Sequence, residues 1–177
     1  MNTLNELIKD CSLRQKKGLH FILSSVVIWA LILCVHLSDM NIELKNLITF
    51  CCSAVLFPLA WMLSKLLHID FEGKGNPLTK AGIIFSINQM LYILIAMWVY
   101  AAVPEKMLMV YAMIFGAHLM PFSWLYNSKS YLVLSIFIPI AALVIGLLTA
   151  PWVLAAFMMV VELVFSILLY SECKKIF

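Results

Sequence analysis

Pro151–Tyr170 reads PWVLAAFMMVVELVFSILLY, twenty residues whose one charged member, Glu162, stands near the middle. As an α-helix this stretch is about 30 Å long, roughly the hydrocarbon thickness of a bilayer. A carboxylate at that depth is costly unless a partner or a wet cavity receives it. The stretch therefore reads as a membrane-spanning helix that turns one polar group toward the protein's own interior.

Composition agrees. Of 177 residues, 64% are hydrophobic and 12% charged, and the mean hydropathy is +1.03. Soluble domains carry about 45–50% apolar and about 25% charged residues, so most of this surface must face lipid. The net charge of +3 is spread in short basic patches beside apolar spans. A nucleic-acid partner would need a basic face on a folded domain, and none is expected. Cys11, Cys34, Cys51, Cys52 and Cys173 form no CxxC or zinc spacing. They read as small apolar residues, although a hairpin of the first two spans would bring Cys34 near Cys51 or Cys52. The methionines, Met158 and Met159 among them, form no ladder paired with cysteine and read as apolar filling. Neither a metal nor a cofactor is expected.

In chain order, Asn2 to Lys17 places Leu4, Leu7, Ile8 and Cys11 at helical spacing. This is a short amphipathic helix, expected to lie on the membrane surface as a positively charged anchor. Span one covers about Leu19 to Leu37. It is too long for a signal-peptide core and no A-x-A-like site follows, so it reads as retained. Span two covers about Leu47 to Leu67 with Pro58 bending its middle. The loop His68 to Lys80 carries Gly73, Gly75 and Pro77 as turn formers and lacks the phosphate-loop spacing. Thr79 is placed to cap the next helix. Spans three to five cover about Ala81 to Val103, Met107 to Tyr126 and Tyr131 to Thr149, and Pro151 opens span six. The fold class is all-α: an integral membrane bundle of six transmembrane helices behind a short N-terminal amphipathic helix. Residues 1–18 and 171–177 flank the membrane domain, 19–170.

Six spans put both termini on one side. With that side inside, Lys9, Arg14, Lys16, Lys17, Lys65, Lys74, Lys80, Lys129, Lys174 and Lys175 are inner, and only Lys45 and Lys106 are outer. The positive-inside rule then predicts a cell-membrane protein with both termini cytoplasmic.

Counting residues from the span ends predicts a polar layer. His118 and Glu162 are each the twelfth residue of a span running the same way, and Gln89, beside Asn88, meets them from the opposite direction. All fall roughly 12–14 Å from the inner edge, with Pro58 and Pro139 near the same level. His118 could share a proton or pair with Glu162, and Asn88 or Gln89 could satisfy remaining lone pairs. The alternative is that these groups are only interhelical hydrogen-bond glue, worth about 0.6–2 kcal/mol. Ala112-x-x-x-Gly116 and Ala142-x-x-x-Gly146 are close-packing patterns between helices.

The segment Gly116-Ala117-His118-Leu119-Met120-Pro121-Phe122-Ser123-Trp124-Leu125-Tyr126, followed by Tyr131, resembles a family of small bacterial multi-pass membrane proteins of unassigned function. The resemblance implies that this segment is distinctive, and it implies no reaction. The first functional expectation is transport of a small solute, ion or proton around Glu162, His118, Gln89 and Asn88. Six spans are few for an alternating-access carrier, so a homodimer is expected beside the lipid partner. The second is a non-catalytic sensor, immunity or assembly component. The third is a lipid-modifying enzyme using His68, Asp70 and Glu72, or Tyr126 with Asn127; no HExxH or GxSxG motif supports it.

Overall fold

The computed structural model describes residues 3–71, 73 and 75–174. Asn2, Glu72, Lys74 and Lys175, which carry parts of the expectations above, lie outside the described residues. The described residues contain no strand. The helices are α1 (Leu4–Arg14), α2 (Leu19–Leu37), α3 (Ile42–Ala54), α4 (Leu56–Leu66), α5 (Leu78–Ala102), α6 (Met107–Ala117), α7 (Met120–Leu125), α8 (Lys129–Leu148) and α9 (Pro151–Lys174). They supply six helices or helix pairs long and apolar enough to cross a membrane. This is a multi-pass membrane protein.

Span one matches its expected limits, and three others do so within about one turn. Span two begins five residues early, because Asn41 caps α3 by accepting the Leu44 N–H. Lys45, read as a loop residue, is inside that helix, and its ammonium donates to His36 O. Span six runs four residues past Tyr170 and ends in the expected tail. Thr79 does not cap α5. Asn76 does that work, with Oδ1 accepting the Leu78 N–H, while Thr79 donates to Gly73 O.

Two spans are broken, and proline explains both. Pro58 has no N–H for the carbonyl four residues back, Ala54, and α3 ends at Ala54. Pro121 likewise fails Ala117, where α6 ends. Pro139 sits inside α8 without ending it. α6 and α8 meet closely there: a Cβ on Gly116 would stand 2.7 Å from Pro139 Cδ, and one on Gly146 would collide with Met109 Cγ. The small-residue patterns are therefore the α6–α8 contact, as their spacing implied.

α2 packs most extensively on α9, and α6 on α8, so spans one, four, five and six form the core. Trp29 of α2, Ile138 of α8 and Phe165 of α9 belong to that core, all nearly or fully buried. α4 rests on α2, and α5 rests on α6 and α7, but among the described residues α4 and α5 make no extensive contact with each other.

α1 packs against α5 and α7 at one end of the bundle. Thr3 and Glu6 close a capping box at its start, and Cys11 and Ser12 are buried against the bundle. Ser12 Oγ donates to Tyr126 O at 2.9 Å, and the Asn76 amide donates to Leu7 O and Asp10 Oδ2. Burial raises the Cys11 thiol pKa to about 11. Beyond α1, Lys17 is buried and pairs with Glu172 at 2.7 Å. Glu172 also accepts from Ser128 Oγ, Ser130 N and Ser130 Oγ at 2.6–3.0 Å. Cys11 of the expected apolar stripe is covered by protein while Leu4 stays exposed; apolar spacing identifies a sticky face without saying whether lipid or protein covers it.

All five cysteines are free thiols, so no bridge joins Cys34 to Cys51 or Cys52.

Candidate functional site

The two proline breaks face one another. Ser53, Leu56 and Phe57 flank the break in span two; His118, Leu119 and Phe122 flank the break in span four. All six line one cavity of about 100 Å³. Phe21, Ser25 and Trp29 of α2 form another wall, and Ser86, Gln89 and Ile93 of α5 form the last. The cavity thus lies between the packed core and the two outer spans, whose α4 and α5 make no extensive contact. Non-helical backbone at membrane depth is tolerated where it is buried in protein or borders a cavity.

Local chemistry holds this geometry. Tyr111 OH donates to Ser53 Oγ at 2.6 Å, and Ser53 Oγ donates in turn to Thr49 O at 2.8 Å. This chain ties span four to span two beside the first break. At the second, Phe122 N–H turns back to Leu119 O at 3.1 Å, and Pro121 has no N–H to offer. His118 Nδ1 bonds Phe115 O at 2.5 Å. Its ring stands between Phe115 and Phe122, with centroids 5.3 and 6.0 Å away and both edge-on. At the floor, Tyr126 OH donates to Gln15 Oε1 and Tyr131 OH to Lys17 O. Gly18 is required there: its φ is +71°, and an added Cβ would stand 3.1 Å from Tyr131 OH.

Glu162 faces the protein interior and is 0% exposed. Its partner is Ser25, not His118. Ser25 Oγ lies 2.5 Å from Glu162 Oε2 and 2.7 Å from Ile22 O. A hydroxyl carries one proton, while a carbonyl can only accept. Both contacts are satisfied together when Ser25 donates to Ile22 O and a protonated Glu162 donates to Ser25. The other carboxyl oxygen, Oε1, is buried without a protein partner. Ser25 also borders the cavity, so one hydroxyl separates the acid from the open space.

Of the residues singled out from sequence, His118 and Gln89 meet at the cavity, Glu162 stands behind its wall, and Asn88 is exposed on the other side of α5. Among the described residues, no hydrogen bond joins His118 to Glu162. The enzymatic candidates are occupied or dispersed. Asp70 Oδ1 accepts the Gly73 N–H, Tyr126 serves Gln15, Asn127 O accepts from Lys17, and His68 is exposed. Glu72 lies outside the described residues. No group of three or more metal-ligating side chains occurs among the described residues. Ser25, Ser53 and Tyr111 escaped the sequence reading. Their one visible signal was a hydroxyl inside an otherwise apolar span.

A family model described as a family of unknown function, DUF7010, matches residues 4–172. No curated protein and no solved structure matches the chain.

Proposed function

The chain belongs to the DUF7010 family of unknown function, and from that premise we propose that it binds a small amphiphilic molecule in its mid-membrane cavity and moves it across the bilayer. The observation that carries this reading is the pair of broken spans facing one cavity. Discontinuous helices beside a midplane site are how many carriers expose backbone and polar groups to a substrate. The lining is mainly aromatic and aliphatic, with Ser25, Ser53, Ser86, Gln89 and His118 as polar points. That balance suits a ring- or chain-bearing molecule with one or two hydrogen-bonding groups. The lack of extensive contact between α4 and α5 supports entry from the lipid side. In this reading Glu162, reached through Ser25, is the proton site.

A second copy belongs to the proposal. Asn88 is exposed on α5 among exposed Ile84, Ile87 and Leu91. An amide can bond its own symmetry mate across a two-fold axis. We also place both termini in the cytoplasm, on the distribution of lysine and arginine. A C-terminal tag should then resist protease in intact cells, and its cleavage would reverse the orientation.

Native mass spectrometry of protein extracted in mild detergent tests the main claim. The expected spectrum shows a dimer carrying a discrete small-molecule adduct other than phospholipid, absent from a Ser86→Trp variant that fills the cavity. An empty wild-type cavity would leave the non-catalytic membrane component as the better reading. A monomer would remove the second copy alone.

A further inference from the structure

We infer that a second site, the groove between α2 and α9 at the end carrying both termini, binds an anionic phospholipid. The groove has a volume of about 400 Å³. Leu19 and Leu23 of α2 form one wall, and Leu163 and Ile167 of α9 form the other. Lys16 and Lys174 stand at its mouth. It uses a different face of α2 from the cavity, which takes Ile22, Ser25 and Trp29, so the two sites are independent.

Length fits one acyl chain. The α9 stripe runs from Leu163 through Ile167 and Tyr170 to Lys174, positions i, i+4, i+7 and i+11 on one helix face. That rise is about 16 Å, close to half of a hydrocarbon core of about 30 Å. A chain laid along it with its headgroup among the lysines ends near the midplane.

Charge selects the headgroup. The ion pairs among the described residues are Arg14–Asp10, Arg14–Asp70 and Lys17–Glu172. Lys16 and Lys174 are in none of them. Lys16 Nζ donates one N–H to Leu67 O at 2.7 Å, which fixes the ammonium at the mouth and leaves two N–H groups to give. Lys174 Nζ sits over the Tyr170 ring at 4.8 Å. Two cations without carboxylates at the end of an apolar slot match a phosphate joined to a hydrocarbon chain. A zwitterionic headgroup would bring its own cation into the same space.

The test is reconstitution into vesicles of equal phosphatidylglycerol and phosphatidylcholine, followed by native mass spectrometry of the bound lipid. Each lysine close to an anionic lipid surface contributes a factor of about five, so phosphatidylglycerol should be enriched roughly ten- to thirtyfold on the wild type. The Lys16→Gln/Lys174→Gln double variant should show no preference. Lys174 is exposed, so Lys174→Gln alone keeps the fold and should lower the preference about fivefold. Ile167→Trp, which fills the groove and spares both lysines, should reduce total bound lipid. Equal binding of the two lipids by the wild type, or undiminished preference in the lysine variants, overturns the assignment. Neither result bears on the mid-membrane cavity.

Discussion

Glu172 and Glu162 lie ten residues apart on one helix and live in opposite surroundings. Glu172, near the bundle end, receives an ammonium, two hydroxyls and a backbone N–H. Glu162, in the middle, has Ser25 for one oxygen and no protein partner for the other. Near the interface the chain can supply many polar groups at little cost, so a carboxylate there becomes structure. At mid-depth each additional polar group is expensive, and an acid left half answered is available for something other than folding.

The largest expected effect is at the crowded acid. Glu172→Ala leaves Lys17, whose side chain is 6% exposed, without its counter-charge. It should destabilise the protein by about 3–5 kcal/mol, read as a fall in unfolding midpoint in detergent. A loss below about 1 kcal/mol would mean that Glu172 is no more structural than Glu162 and would erase the contrast.

Glu162→Gln should cost less than about 1 kcal/mol, because the amide can donate to Ser25 as a protonated acid does. If the proposed transport holds, the same variant in proteoliposomes should abolish proton uptake coupled to the substrate. A large stability loss would return Glu162 to a structural role, and unchanged coupling would remove it as the proton site.

The smallest effect concerns α1. The Asn76 amide, followed by Arg14, holds the Asp10 pKa below its ordinary value. A lowered folded-state pKa gives stability that is present above the unfolded pKa and is lost as pH falls through the folded one. Protection of the Leu4–Arg14 amides, measured relative to their intrinsic exchange rates, should therefore fall below about pH 4, and Asp10→Asn should weaken that dependence. An exchange profile identical in both proteins would deny Asp10 any part in holding α1.

Much of the fold was legible because its cause is local. Length and apolar content mark a span, Pro58 and Pro121 mark where helices fail, and Gly116 and Gly146 mark where they touch. Depth along a helix is also countable, which is how His118 and Gln89 came to be expected at one level. Rotation about the axis is not countable in a helix that is apolar all round. Span one has no polar face to betray which side meets α9, so Ser25 could not be matched with an acid 137 positions away. The docking of α1 was hidden for a related reason: lipid and protein reward the same apolar stripe.

The bond between Lys17 and Glu172 joins the turn just before α2 to the end of α9. During synthesis, then, Lys17 has no counter-charge until the sixth span has left the ribosome. Assembly ends by locking a clasp, and a chain cut before Glu172 never closes it.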